Sequence, residues 1–94
     1  MNQAATTACN KAALNWCTTE AYCGGKAGLL NSDQQIAEAS QACWLRLGTE
    51  QLCKQALEEA PYKTCSDDII QSKCDTYDVN VQRLKPTECN GLFL

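Results

Sequence analysis

Histidine is absent from this chain of 94 residues. With it goes the side chain that most often works as a general base, nucleophile partner or metal ligand near neutral pH. The remaining acids offer no substitute. Asp67-Asp68 read as the first turn of a helix, where the positive dipole favours them, and Glu58-Glu59 and Asp75/Asp78 read as solvated faces. The segment Asp75-Thr76-Tyr77-Asp78-Val79-Asn80 lacks both the alternating oxygen ligands and the sixth-position glycine of a calcium loop. No enzyme activity, metal or cofactor is therefore expected. Basic runs are absent too: Lys11, Lys26, Arg46, Lys54, Lys63, Lys73, Arg83 and Lys85 are scattered singly in a chain of net charge -3. Neither nucleic acid nor an anionic membrane surface is an expected partner. No apolar run is long enough for a membrane span.

Large aliphatic residues are also scarce. Leu, Ile, Val and Phe together make up 16 of the 94 residues, and Ala adds 12. A core so thin supplies little net stability at this size, and small secreted folds compensate with staples. The chain has eight: Cys9, Cys17, Cys23, Cys43, Cys53, Cys65, Cys74 and Cys89. The count is even, no CxxC occurs, and the 5 to 19 residues between neighbouring cysteines match no structural zinc pattern. They read as four structural disulfides formed in an oxidising compartment, each adding roughly 2–4 kcal/mol. The start, Met1-Asn2-Gln3-Ala4, has no basic or apolar leader region. Met1 is read as a start placed on a mature secreted chain, and localisation is expected to be extracellular. Asn15-Trp16-Cys17 lacks the Ser or Thr of a glycosylation acceptor.

With only two prolines and five glycines as punctuation, and with Ala, Gln, Glu, Leu and Lys abundant, the chain reads as one all-α domain over 1–94, a disulfide-stapled bundle of about four helices. Helix 1 covers 4–22, with Ala5, Cys9, Ala12/Ala13 and Trp16/Cys17 on one face and Gly24-Gly25 at its end. Helix 2 covers 33–47, opened by Ser32 with Gln35 as a capping box. Gly48 separates it from helix 3, 49–60, where Glu50 and Lys54 are spaced for an ion pair and Pro61 acts as the stop. Helix 4 covers 66–84, with Ile70, Cys74, Tyr77 and Val81 along one side.

Bridged Cα atoms lie within about 7 Å, and residues eight apart on a helix are about 12 Å apart. Cys9–Cys17 is thereby excluded and Cys65–Cys74 disfavoured. The bridges must therefore join different helices. One arrangement the spacing suggests is Cys43–Cys74 nested around Cys53–Cys65, with Cys43–Cys53 across Gly48 as its rival, and the sequence does not choose between them.

Trp16 lies beside the helix 1 stripe and reads as core. Trp44 is one step, about 100°, off the helix 2 stripe, placed either to pack on a disulfide or to anchor a partner. Tyr62 follows Pro61, and the tail Leu92-Phe93-Leu94, tethered by Cys89, is expected to dock while leaving apolar surface. These five residues, Trp44, Tyr62, Leu92, Phe93 and Leu94, are the candidate partner-binding set.

In helix content and cysteine density the chain resembles small, secreted, acidic, all-helical disulfide proteins such as ciliate mating pheromones and secreted effectors of plant pathogens. The resemblance implies an interaction protein that binds a protein partner or receptor. A second resemblance is to the twin-cysteine helical hairpins of the mitochondrial intermembrane space. It rests on nine residues between Cys43 and Cys53, against eight between Cys65 and Cys74. A third reading is a carrier of a small apolar ligand, a lipid or sterol, with Leu14, Leu29, Leu30, Ile36, Leu57 and Ile70 lining its cavity.

Overall fold

The computed structural model describes residues 2–94. It is mostly helical, with four α-helices, four disulfides and one very small sheet. Helix α1, Gln3–Lys26, is the spine. At about 1.5 Å per residue its 24 residues reach most of the way along the 40 Å long axis of the molecule. Asn2 caps it, its side chain accepting from the Ala5 N–H. Helix α2, Asp33–Arg46, runs back along α1 and is followed by the single turn and a half of α3, Thr49–Lys54. Helix α4, Ala60–Ser72, then returns in the same direction as α1. A two-residue pair of antiparallel strands follows, β1 (Tyr77–Asp78) and β2 (Arg83–Leu84), with Tyr77 opposite Leu84. A 3-10 turn at Thr87–Cys89 leads into the tail.

The cap at Ser32 forms as the sequence implies. Its hydroxyl accepts from the Gln35 N–H, and Gln35 reaches back to the Asn31 N–H. Gly48 does separate α2 from α3; its φ of 65° is left-handed backbone, which glycine adopts without penalty.

Three boundaries differ from the sequence reading. First, α1 runs through Gly24-Gly25 to Lys26. These glycines do not end a helix; they admit neighbours. A Cβ on Gly24 would stand 3.0 Å from Leu30 Cδ1 and 3.2 Å from Tyr77 Oη, and one on Gly25 would stand 3.0 Å from Ile36 Cδ1. Second, α3 ends at Lys54, and Pro61 lies in the first turn of α4 rather than stopping α3. Proline lacks only an N–H that has no partner in a first turn, so it fits a helix start as well as it enforces a stop. Asp67 and Asp68 consequently sit mid-helix, not in an N-terminal turn. Asp68 accepts from Ser72 Oγ and from the Glu88 N–H, tying α4 to the tail. Third, residues 73–84 are not helical. Lys73 leaves α4 with φ 52°. Asp78 accepts from the Asn80 N–H and pairs with Lys85 in the hairpin. The Glu50–Lys54 pair is not among the salt bridges of the described residues, which are Arg46–Glu20, Lys63–Glu59 and Lys85–Asp78.

All eight cysteines are bridged: Cys9–Cys53, Cys17–Cys43, Cys23–Cys74 and Cys65–Cys89. Three of the four bridges start on α1, which explains its role as spine. Neither the nested arrangement (Cys43–Cys74 with Cys53–Cys65) nor Cys43–Cys53 forms. Both presume a local hairpin, whereas α2, α3 and the segment after α4 each attach to α1. The core is correspondingly divided into three small clusters of alanine, cystine and a few large residues: Ala12, Cys23, Cys65, Ile69, Leu84 and Cys89; Ala5, Cys9, Cys53 and Ala56; Ala13, Cys17, Cys43 and Leu47. Small Ala and Cys side chains let helices approach closely, and the covalent bridges replace much of the apolar area that such approach cannot bury.

Candidate functional site

The tail docks, as the tether at Cys89 implies. Phe93 is wedged between Trp16 and Tyr62, edge-on to both, with ring centroids 5.8 and 5.9 Å away. It packs against all three core clusters. Edge-to-face pairs of this kind add about 0.5–1.5 kcal/mol beyond burial, so Phe93 is better placed to hold the helices together than to meet a partner. The Leu94 N–H donates to the Leu47 carbonyl at 3.4 Å. Trp44 is half-buried on the Cys17–Cys43 cluster beside Leu47, the disulfide-packing outcome for that residue. Its carbonyl accepts from Thr49 Oγ1, bracing the bend at Gly48.

Tyr62, Leu92 and Leu94 are placed differently. Tyr62 and Leu92 line an open depression of about 410 Å3 with Leu52, Ala56, Leu57 and Pro61. Leu57 is 77% exposed at its edge, because residues 55–59 have left the helix and hold it outward. Leu94 is 82% exposed, and its side chain reaches toward Gly48, on the same flank as Leu52. Glu58 is the one charged residue lining this depression. The sequence marks Tyr62 and Leu92 as candidates, whereas it places Leu57 on the lining of a cavity.

The six residues expected to line a ligand cavity do not meet. Leu30 and Ile36 face one surface depression, Ile70 another, and Leu57 the one just described. Leu14, Leu57 and Ile70 are each more than half exposed. Another concavity, about 560 Å3, is a groove open to solvent between α1 and α4, with Lys11, Glu59, Lys63 and Asp67 on its walls. Lys63 is held protonated to higher pH than usual by its hydrogen bond and ion pair with Glu59. Among the described residues no group of histidine, cysteine, aspartate and glutamate is arranged to hold a metal. No helix there is long and apolar enough to cross a membrane.

One site escaped the sequence reading. Glu20 lies on the inner face of α1, 6% exposed. Its carboxylate accepts from Arg46 at 2.9 and 2.8 Å, from the buried Leu84 N–H at 2.8 Å, and from Trp16 Nε1 at 3.4 Å. It thus ties α2 and the hairpin to the spine. The signal was positional: Glu20 continues the Cys9, Ala13, Trp16/Cys17 stripe by a helical step, and an acid on an apolar stripe demands a partner. Tyr77 packs alongside. Burial, and then the charge of Glu20, hold its phenol above the usual tyrosine range.

Comparison with known protein families, curated proteins and solved structures finds no match to this chain.

Proposed function

We propose that this chain is a secreted, non-enzymatic interaction protein whose partner is a protein that seats an apolar side chain in the depression between Leu57, Pro61, Tyr62 and Leu92. The observation that carries this reading is the 77% exposure of Leu57 beside a preformed apolar concavity on an otherwise tightly stapled frame. Four disulfides fit an oxidising environment. A rigid frame spends little conformational entropy on binding. Glu58 as the one lining charge, on a chain of net charge -3, favours a partner segment carrying a lysine or arginine next to its apolar anchor. The six presumed cavity residues are spread over separate surface depressions, which does not favour the lipid- or sterol-carrier reading. None of Cys43, Cys53, Cys65 and Cys74 pairs with another of the four, which does not favour the twin-cysteine hairpin reading.

The test is site-specific photocrosslinking from position 57 on extracellular and cell-surface material of the source, followed by calorimetry with the purified partner. Leu57→Asp is expected to weaken binding about thirtyfold, the size of a lost interface anchor of about 2 kcal/mol. Leu45→Asp, on the exposed face of α2, is expected to change nothing. Equal affinity of Leu57→Asp and the parent chain refutes the site.

A further inference from the structure

Cys23–Cys74 stands apart from the other three bridges in two respects. Seven of the eight cysteines are at most 2% exposed, and Cys74 is the one that is only half-buried. It lies past the end of α4, after the left-handed Lys73, in a turn leading to a hairpin of two residue pairs. Its position in the covalent network is also singular. Cys9–Cys53 and Cys17–Cys43 lie wholly within α1–α3, and Cys65–Cys89 lies wholly within α4 and the tail. Cys23–Cys74 is the one disulfide that joins these two halves. Apart from it, the covalent path between them is residues 55–59.

We infer that Cys23–Cys74 is a site of thiol–disulfide exchange, opened by a dithiol reductant while the other three bridges stay closed. A thiolate of the reductant attacks Cys74 Sγ, on the less buried residue of the pair, forming a mixed disulfide. Cys23 leaves as a thiolate and takes up a proton. The second thiol of the reductant then attacks its own sulfur in the mixed disulfide and releases Cys74 as a thiol. Two thiols are gained on the chain and one disulfide on the reductant, so electrons balance. Access rather than bond type sets the order, because an attacking thiolate needs an in-line approach that the buried bridges deny. The opened form is two stapled halves, α1–α3 and α4 with the tail, whose one covalent link is 55–59 and which are otherwise held by the packing of α4 and Phe93 on α1. The Leu57–Tyr62–Leu92 depression takes residues from both halves and from the link. On the functional reading above, opening Cys23–Cys74 therefore weakens partner binding.

The experiment is a time course with dithiothreitol on the oxidised full chain without denaturant, quenched by iodoacetamide and mapped by peptide mass. Label is expected on Cys23 and Cys74 at least tenfold faster than on any other cysteine, with a populated two-thiol intermediate. First labelling of another pair, or all eight cysteines together, overturns the inference. Cys23→Ser combined with Cys74→Ser is expected to keep three bridges that resist the same reductant; their rapid loss also overturns it. Calorimetry of the two-thiol form with the partner is a separate arm. Undiminished binding there refutes the coupling to the depression while leaving the order of opening intact.

Discussion

Removing the Glu20 carboxylate is expected to be the most damaging change available on α1 outside the cysteines. In Glu20→Ala the Leu84 N–H loses its acceptor in a buried site, at about 1–3 kcal/mol. The Arg46 guanidinium loses its partner as well. Its side chain is 30% exposed and can turn to water, so that part is worth only about 1 kcal/mol. The sum is roughly 2–4 kcal/mol, out of a total that for 94 residues falls at about 5–14 kcal/mol. The reverse change, Arg46→Ala, leaves a carboxylate that is 7% exposed without its counter-charge. It should cost about as much or more, up to roughly 3–5 kcal/mol, eased by the bonds that Glu20 keeps to Leu84 and Trp16. The assay is urea unfolding of the oxidised proteins followed by tryptophan fluorescence, since Trp16 adjoins the site. At a slope near 1 kcal/mol/M, Glu20→Ala should move the midpoint down by about 2 M or more. The double variant should be less damaged than the sum of the singles, with a coupling of at least about 1 kcal/mol. Single-variant losses below about 0.5 kcal/mol, or strict additivity, would refute the account of Glu20 as the point that ties α2 and the hairpin to the spine.

Two further outcomes follow from the same structure. The Tyr77 phenol is held above the usual range by burial and by Glu20, so the folded state binds that proton more tightly than the unfolded state. Its contribution is intact below the ordinary tyrosine value of about 10 and is lost as pH rises through the folded value. Alkaline denaturation followed by circular dichroism should accordingly be shallower above pH 10 in Tyr77→Phe than in the parent, and identical curves would count against it. Full reduction should abolish cooperative thermal unfolding near room temperature. The bridges span 44, 26, 51 and 24 residues, each worth about 3–4 kcal/mol in the chain-entropy picture, and together they match or exceed the expected global stability. A sharp transition in the reduced chain, close to that of the oxidised one, would show the core to be stronger than its aliphatic content implies.

What the sequence determined by itself was what local chemistry can specify. Helix content followed from composition, the start of α2 from the Ser32 cap, the bend from Gly48, and full oxidation from an even cysteine count in a chain with a thin core. The stripe Ala5, Cys9, Ala13, Cys17 marked the buried face of α1 without any knowledge of its neighbours. Pairing was beyond its reach, because Cys9 finds Cys53 and Cys23 finds Cys74 only after three helices have chosen the same spine. Pro61 shows the limit at a single residue: its chemistry permits a helix start and a helix stop equally, and packing against α1 chose the start. The stretch 73–84 carries a helical spacing at Ile70, Cys74, Tyr77 and Val81. Its backbone instead turns back at Lys73, where the hairpin brings the Leu84 N–H to Glu20. Leu57, which composition assigns to an interior, is held in solvent because α3 ends three residues earlier, at Lys54. The surface that this leaves, like the link beside it, is a product of tertiary structure: each side chain is ordinary in sequence, and only the approach of α3, α4 and the tail places them together.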